Sequence, residues 1–208
     1  MSKNSNTALT ALAQSTWDTK TEFVKAIDET KKLLKTIGDQ LTAIECPAVN
    51  SLCFNLRELS KEYIDKTLKS CKVARKSEKS NDYIYIIRIH EANKDESSRL
   101  CAQLKEDAAI QKELESKVGY SRINLANAPS TTLYVGRSQN LTTRLRQHLG
   151  ATSIKPYALH MQLWATNNDL EVMIDYMHFE DRDNLLVQAI EDGLWESLKP
   201  VFGRKGSK

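Results

Sequence analysis

Apolar positions recur at helical spacing early in the chain and at strand spacing later. Phe23, Ile27, Leu34 and Ile37, with Thr30 between them, share one helical face. Thr19 and Glu22 fit a capping box at its start, and Gly38 is placed to end it. Pro47 suits a first helical turn, and Val49, Leu52, Leu56, Leu59 and Tyr63 again step three and four. Residues 1–80 are therefore expected to hold two amphipathic helices, or three, as a hairpin or small bundle behind a short polar tail. The second helix is expected to run on into Lys66, Lys69, Lys72, Arg75, Lys76 and Lys79. Ser77, Ser80 and Asn81 mark a domain boundary.

The period then falls to two. Tyr83–Ile89 predicts a strand with Tyr83, Tyr85 and Ile87 on one side and Ile84, Ile86 and Arg88 on the other. Lys94 to about Lys117 predicts a helix through Leu100, Leu104 and Ala108, followed by a loop from Asn124 to Thr131 with Asn127 and Pro129. Leu133–Gly136 reads as a short strand. Leu141, Leu145 and Leu149 then give one face of a helix capped by Ser138 or Asn140. Tyr157–Ala165 alternates, Asn167–Asp169 supplies a turn, and Leu170–Phe179 alternates again, which predicts an antiparallel hairpin. Asp181 or Asp183 caps a last helix, Asn184–Leu198, which Pro200 stops. The expected fold is α/β of the α+β kind. A small mixed or antiparallel sheet is flanked by helices in residues 81–208, with an N-terminal helical extension in residues 1–80.

Composition narrows the function classes. Of 208 residues, 40% are hydrophobic and 27% charged, so a packed core is expected and global disorder is not. No apolar run approaches the roughly 18 residues of a membrane span, and the N-terminus lacks an apolar leader core. A cytoplasmic protein with no membrane partner is the expectation. Cys46, Cys53, Cys71 and Cys101 are too far apart for a CxxC metal pair and read as reduced packing thiols. A net charge of +3 permits nucleic-acid binding without arguing for it. The Lys66–Lys79 strip reads as a solvated helix face or as a salt-sensitive track along a phosphate backbone. His90, His160 and His178 lack metal-ligand spacing. Zinc, phosphate-loop, dinucleotide and serine-hydrolase patterns are all missing.

Five positions invite chemistry: Tyr85, Tyr134, Arg144, His148 and Glu191. Arg144 and His148 are four apart, so they share one stripe of a helix beside its apolar face. Glu191 has Val187, Leu194 and Trp195 as its helical neighbours, and a carboxylate so framed needs a cation or a metal as partner. Asp175, among apolar strand residues, suits an ion pair. Each alone has a commonplace reading: strand aromatics for Tyr85 and Tyr134, packing for His148, solvated charges for Arg144 and Glu191.

Together they form a pattern. Tyr134-Val135-Gly136, Arg144 ten residues after the Tyr, and His148 one turn later resemble the second half of the GIY-YIG nuclease signature. Tyr83-Ile84-Tyr85 resembles its first tripeptide, with Tyr85 at the functional Tyr and Tyr83 in place of Gly. Glu191 stands nine residues before Pro200, as in excision-repair members of that family. Gly203 replaces a frequent Asn, and the segment between the two tripeptides is longer by about one helix. The resemblance covers about residues 82–206. It implies a metal-dependent endonuclease that hydrolyses DNA phosphodiester bonds, with Arg144 stabilising the transition state and Glu191 holding one Mg²⁺ (or Mn²⁺). It gives Tyr85 the role of base, hydrogen-bonded to Tyr134, and makes His148 a base or an orienting group. Asp192 is expected on another side of the helix, leaving a one-metal site. Lys72, Lys76, Arg137, Arg146, Arg204 and Lys205 are candidates to flank the DNA. A catalytically inactive nucleic-acid-binding module of the same fold is the first rival. An interaction protein led by its N-terminal helices, which also allow a homodimer, is the second.

Overall fold

The computed structural model describes residues 19–74, 81–90, 94–115, 117–124, 126–127 and 130–206. Lys76 and its neighbours at 75–80 lie outside them. The chain divides into two units, residues 1–44 and 45–208. The first contains helix α1, Thr19–Ala43. Gly38 does not end it, because Gly38 keeps a negative φ and the stripe continues to Leu41. Phe23, Val24, Ile27, Leu34 and Leu41 are all exposed.

The second unit is built on a four-stranded antiparallel sheet in the order β1-β4-β2-β3: β1 Val49–Asn55, β2 Asn81–Ile89, β3 Thr132–Ser138 and β4 Glu171–Glu180. The expected second helix is in fact β1. Leu52 and Phe54 are buried while Ser51 and Cys53 are exposed, a period of two. Leu52 and Leu56 also satisfy a helical step, so this short run fitted both patterns. Because β1 pairs with β4, the second unit begins at Glu45 and not near residue 80. Helix α2 is only Lys61–Leu68, capped by Ser60, whose Oγ accepts from the Tyr63 amide (3.2 Å). It therefore ends well short of Lys79.

Helix α3 (Lys94–Leu114) follows β2, α4 (Leu141–Leu149) follows β3, and α5 (Asn184–Leu198) follows β4. The caps are Asn140 for α4 and Asp183 for α5. One sheet face carries Phe54, Tyr85, Ile87, Ile174 and Tyr176 into a core shared with Ile64 and Leu68 of α2, and with Leu141, Leu145 and Leu149 of α4. Each fully buried leucine stabilises this core by about 1.5–3 kcal/mol. Helix α5 contacts β2 and β3 and buries Leu186 and Val187. Arg88 and Asp175 form the ion pair that Asp175 required (2.8 Å).

The expected hairpin strand at Tyr157–Ala165 is absent. Both edges of β4 are taken by β1 and β2, so no position beside it remains. The segment instead pairs with residues 119–121: Ala158 donates to Gly119 O and accepts from the Ser121 amide. It then makes a single 3₁₀ turn at Met161–Leu163. Cys71 and Cys101 are buried, Cys46 and Cys53 exposed, and all four are free. Among the described residues no helix is long and apolar enough to cross a membrane.

Candidate active site

Three elements aim at one point. Strand β2 supplies Tyr85, β3 supplies Tyr134, and α4 supplies Arg144 and His148. Tyr85 lies opposite Gly136 in the β2–β3 register. A Cβ at Gly136 would sit 2.6 Å from the Tyr85 hydroxyl and 2.6 Å from Tyr134 Cε1. The glycine is thus the space in which the two phenols meet, their rings stacked with centroids 6.1 Å apart. Gly203, at φ +100, closes on the other edge of Tyr134, where a Cβ would lie 2.9 Å from Cε2.

Arg144 Nε donates to the Tyr85 hydroxyl (3.3 Å), its Nη2 to the Tyr134 hydroxyl (3.4 Å), and its Nη1 to Gln147 (2.8 Å). His148 is wholly buried. Its Nδ1 accepts from the Leu159 amide (3.2 Å), and an amide can only donate. The neutral ring therefore carries its proton on Nε2 and gives it to the Tyr85 hydroxyl (2.9 Å). Burial, then the Arg144 charge and His160, hold the His148 pKa well below its ordinary 6.5. Both His148 nitrogens are engaged by protein partners and neither meets solvent. Tyr85 accepts two hydrogen bonds on one oxygen. Burial and Tyr134 push its pKa above the usual 10, against the pull of Arg144.

Glu191 lies in a second recess, lined also by Asp82, Arg137, Asn184 and Gln188. It is 8% exposed, and burial, reinforced by Asp192, pushes its pKa up to about 7. Gln188 Nε2 donates to both Glu191 (3.2 Å) and Asp192 (3.1 Å), so Asp192 is a near neighbour and not on a remote side. No hydrogen bond links Glu191 to Arg144 or to either phenol among the described residues, yet its charge is close enough to raise the Tyr85 pKa. No group of three or more His, Cys, Asp or Glu gathers to cage a metal among the described residues. A hydrated Mg²⁺ needs only one or two carboxylates, and a buried acid with an amide as its hydrogen-bond partner fits that demand.

Other expected contacts are occupied. Arg137 is clamped by buried Asp82 (2.9 and 3.0 Å) and by Asn184, and its side chain is 12% exposed. It braces β2, β3 and α5 and is not a surface contact. Arg146 pairs with Asp65 of α2 (2.7 Å), and Lys205 with Glu196 of α5 (2.6 Å). Lys72 is exposed, with its backbone amide bonded to the Tyr176 hydroxyl. Arg204 does reach the site: with Tyr134 and Arg144 it lines a recess shared with Lys112, Arg122 and Tyr157. Those last three were missed, since no periodicity distinguishes them from ordinary loop and helix-end residues. No protein-family model, curated protein or solved structure matches the chain.

Proposed function

We propose that the chain is a metal-dependent endonuclease of the GIY-YIG type that hydrolyses DNA phosphodiester bonds. The observation that supports this most is the convergence of Tyr85, Tyr134 and Arg144 around Gly136, with His148 setting the tilt of Tyr85. Arg144 is a fixed cation beside the phenols, available to the charge that builds on phosphoryl oxygens in the transition state. Two donors on the Tyr85 oxygen stabilise its phenolate, the form that takes a proton from water. Burial opposes that ionisation, so cleavage is expected to rise with pH through the neutral range. Glu191 would hold the Mg²⁺ or Mn²⁺, which supplies charge neutralisation and polarises water when bound.

The test is nicking of supercoiled plasmid with Mg²⁺. Arg144→Ala is expected to lower the rate by about 10²-fold or more, the usual loss when a transition-state donor is removed. Equal cutting by parent and variant would refute the assignment. The inactive binding module stays in play because Glu191 makes no direct bond to the cluster and the Tyr85 side chain is fully buried. DNA binding without cleavage under Mg²⁺ or Mn²⁺ would select it.

A further inference from the structure

We infer that the recess beside Tyr134 and Arg144 is a strand-anchoring subsite, selective for DNA carrying an unpaired nucleotide next to the cleavage point. This rests on the nuclease reading and names its substrate class.

The recess is lined by Lys112, Arg122, Arg144 and Arg204, and among the described residues no carboxylate lines it. Lys112, Arg122 and Arg204 are exposed and have no side-chain partner among the described residues. Of the cations elsewhere in this unit that the sequence suggested for DNA, Arg137 is paired with Asp82, Arg146 with Asp65 and Lys205 with Glu196, while Lys72 is exposed. Lys112, Arg122 and Arg204 thus stand together beside Arg144 around one recess, where a polyanion would neutralise them.

The positions are fixed by backbone. Gly119 donates to Ile154 O and Ser121 to Ala158 O, which holds the Tyr157 segment against residues 119–121. A Cβ at Gly119 would sit 2.5 Å from Lys155 O, so this approach requires glycine. Gly203 donates to Arg122 O, which sets Arg204 beside Arg122. Three segments are thus clamped around the recess before any ligand arrives, which lowers the cost of binding.

Tyr157 supplies the selectivity. Its side chain is 75% exposed at the rim, among cations and away from the core. An exposed ring beside a phosphate track offers a face on which a base can stack, and only an unpaired base presents its own face. Duplex DNA meets the cations alone.

Fluorescence anisotropy of labelled single-stranded, duplex and tailed-duplex oligonucleotides, in EDTA to prevent turnover, tests this. Arg122→Ala/Arg204→Ala is expected to weaken all three and to lower the salt slope by about 2. Tyr157→Ala is expected to weaken single-stranded and tailed DNA roughly tenfold and to leave duplex unchanged, while Tyr157→Phe binds as the parent. Equal effects of Tyr157→Ala on all three DNAs, or no effect, would overturn the selectivity. An unchanged salt slope would overturn the anchoring site. Cleavage that depends on Arg144 together with these failures would leave the nuclease reading standing. The expected binding pattern without any cleavage would do the reverse.

Discussion

Replacing Gly136 by alanine tests whether the gap between the phenols organises the site. The new methyl would lie 2.6 Å from Tyr134 Cε1, 2.6 Å from the Tyr85 hydroxyl and 2.8 Å from Tyr85 Cζ. Carbon contacts settle near 3.5–4.0 Å, so each ring must retreat by about 1 Å. Tyr85 has no room to do so, being fully buried between β3 and α4 residues. Overpacking of this kind costs about 1–3 kcal/mol. The smaller entropy of the unfolded alanine chain returns about 0.4–1 kcal/mol. A net loss of about 1–2 kcal/mol corresponds to a fall in Tm of roughly 2–8 °C at this size. Gly193→Ala is the control: it lies within α5 with nothing inside 4 Å of the new methyl, and should stabilise by about 0.5–1 kcal/mol. Thermal melts and plasmid nicking read the two outcomes, and a shift of about 1 Å in catalytic groups is expected to slow cleavage by about 10²-fold. If Gly136→Ala melts no lower than the parent and cuts as fast, the glycine does not hold the phenols in place.

Three further outcomes are expected. Buried His148 and His160 have lowered pKa values, so the unfolded chain takes up protons below about pH 6.5 that the folded chain refuses, and stability falls on acidification. Glu191, raised to about 7, acts oppositely: between about pH 4.5 and 7 the folded chain keeps a proton that the unfolded chain has lost. Glu191→Gln should therefore steepen the gain in stability from about pH 5 to pH 6.5 in urea unfolding; a flatter profile would contradict the burial of that carboxylate. Mg²⁺ should raise the Tm of the parent and not of Glu191→Gln, by the linkage between binding and folding; equal shifts would place the ion elsewhere. We also propose that α1 pairs with a second copy of itself. Phe23, Ile27, Leu34, Ile37 and Leu41 keep a seven-residue repeat, and Lys25, Lys31 and Lys32 are satisfied by Glu22, Asp28 and Glu29 of the same helix. Sedimentation should show a dimer that Ile27→Lys/Leu34→Lys converts to monomer, and a monomeric parent would end that proposal.

What the sequence made legible was local. Tyr83–Ile89 alternates plainly, Leu141, Leu145 and Leu149 mark their helix, and Arg144 and His148 follow from a four-residue step, so β2, α4 and the core of the site were readable. What it hid was pairing at a distance. Nothing near Arg137 announces Asp82, 55 residues away, as the carboxylate that would hold it. Nothing near Val49 announces that β4 would offer an edge, which is what makes a strand of a run that also fits a helix. The alternation at Tyr157–Ala165 was real, but burial there follows residues 119–121 and His148, and an alternating pattern cannot name its partner.

The bond from the Leu159 amide to His148 makes the imidazole a strut between the loop after α4 and the hydroxyl of Tyr85. That amide follows closely on Tyr157 in the chain, so one ring joins the rim segment to the buried phenol. The loop is consequently not a free module. Transplanting or lengthening it, or replacing Leu159 by proline, would leave α4 folded and the polar side chains all present, yet would untune the phenol they are meant to hold.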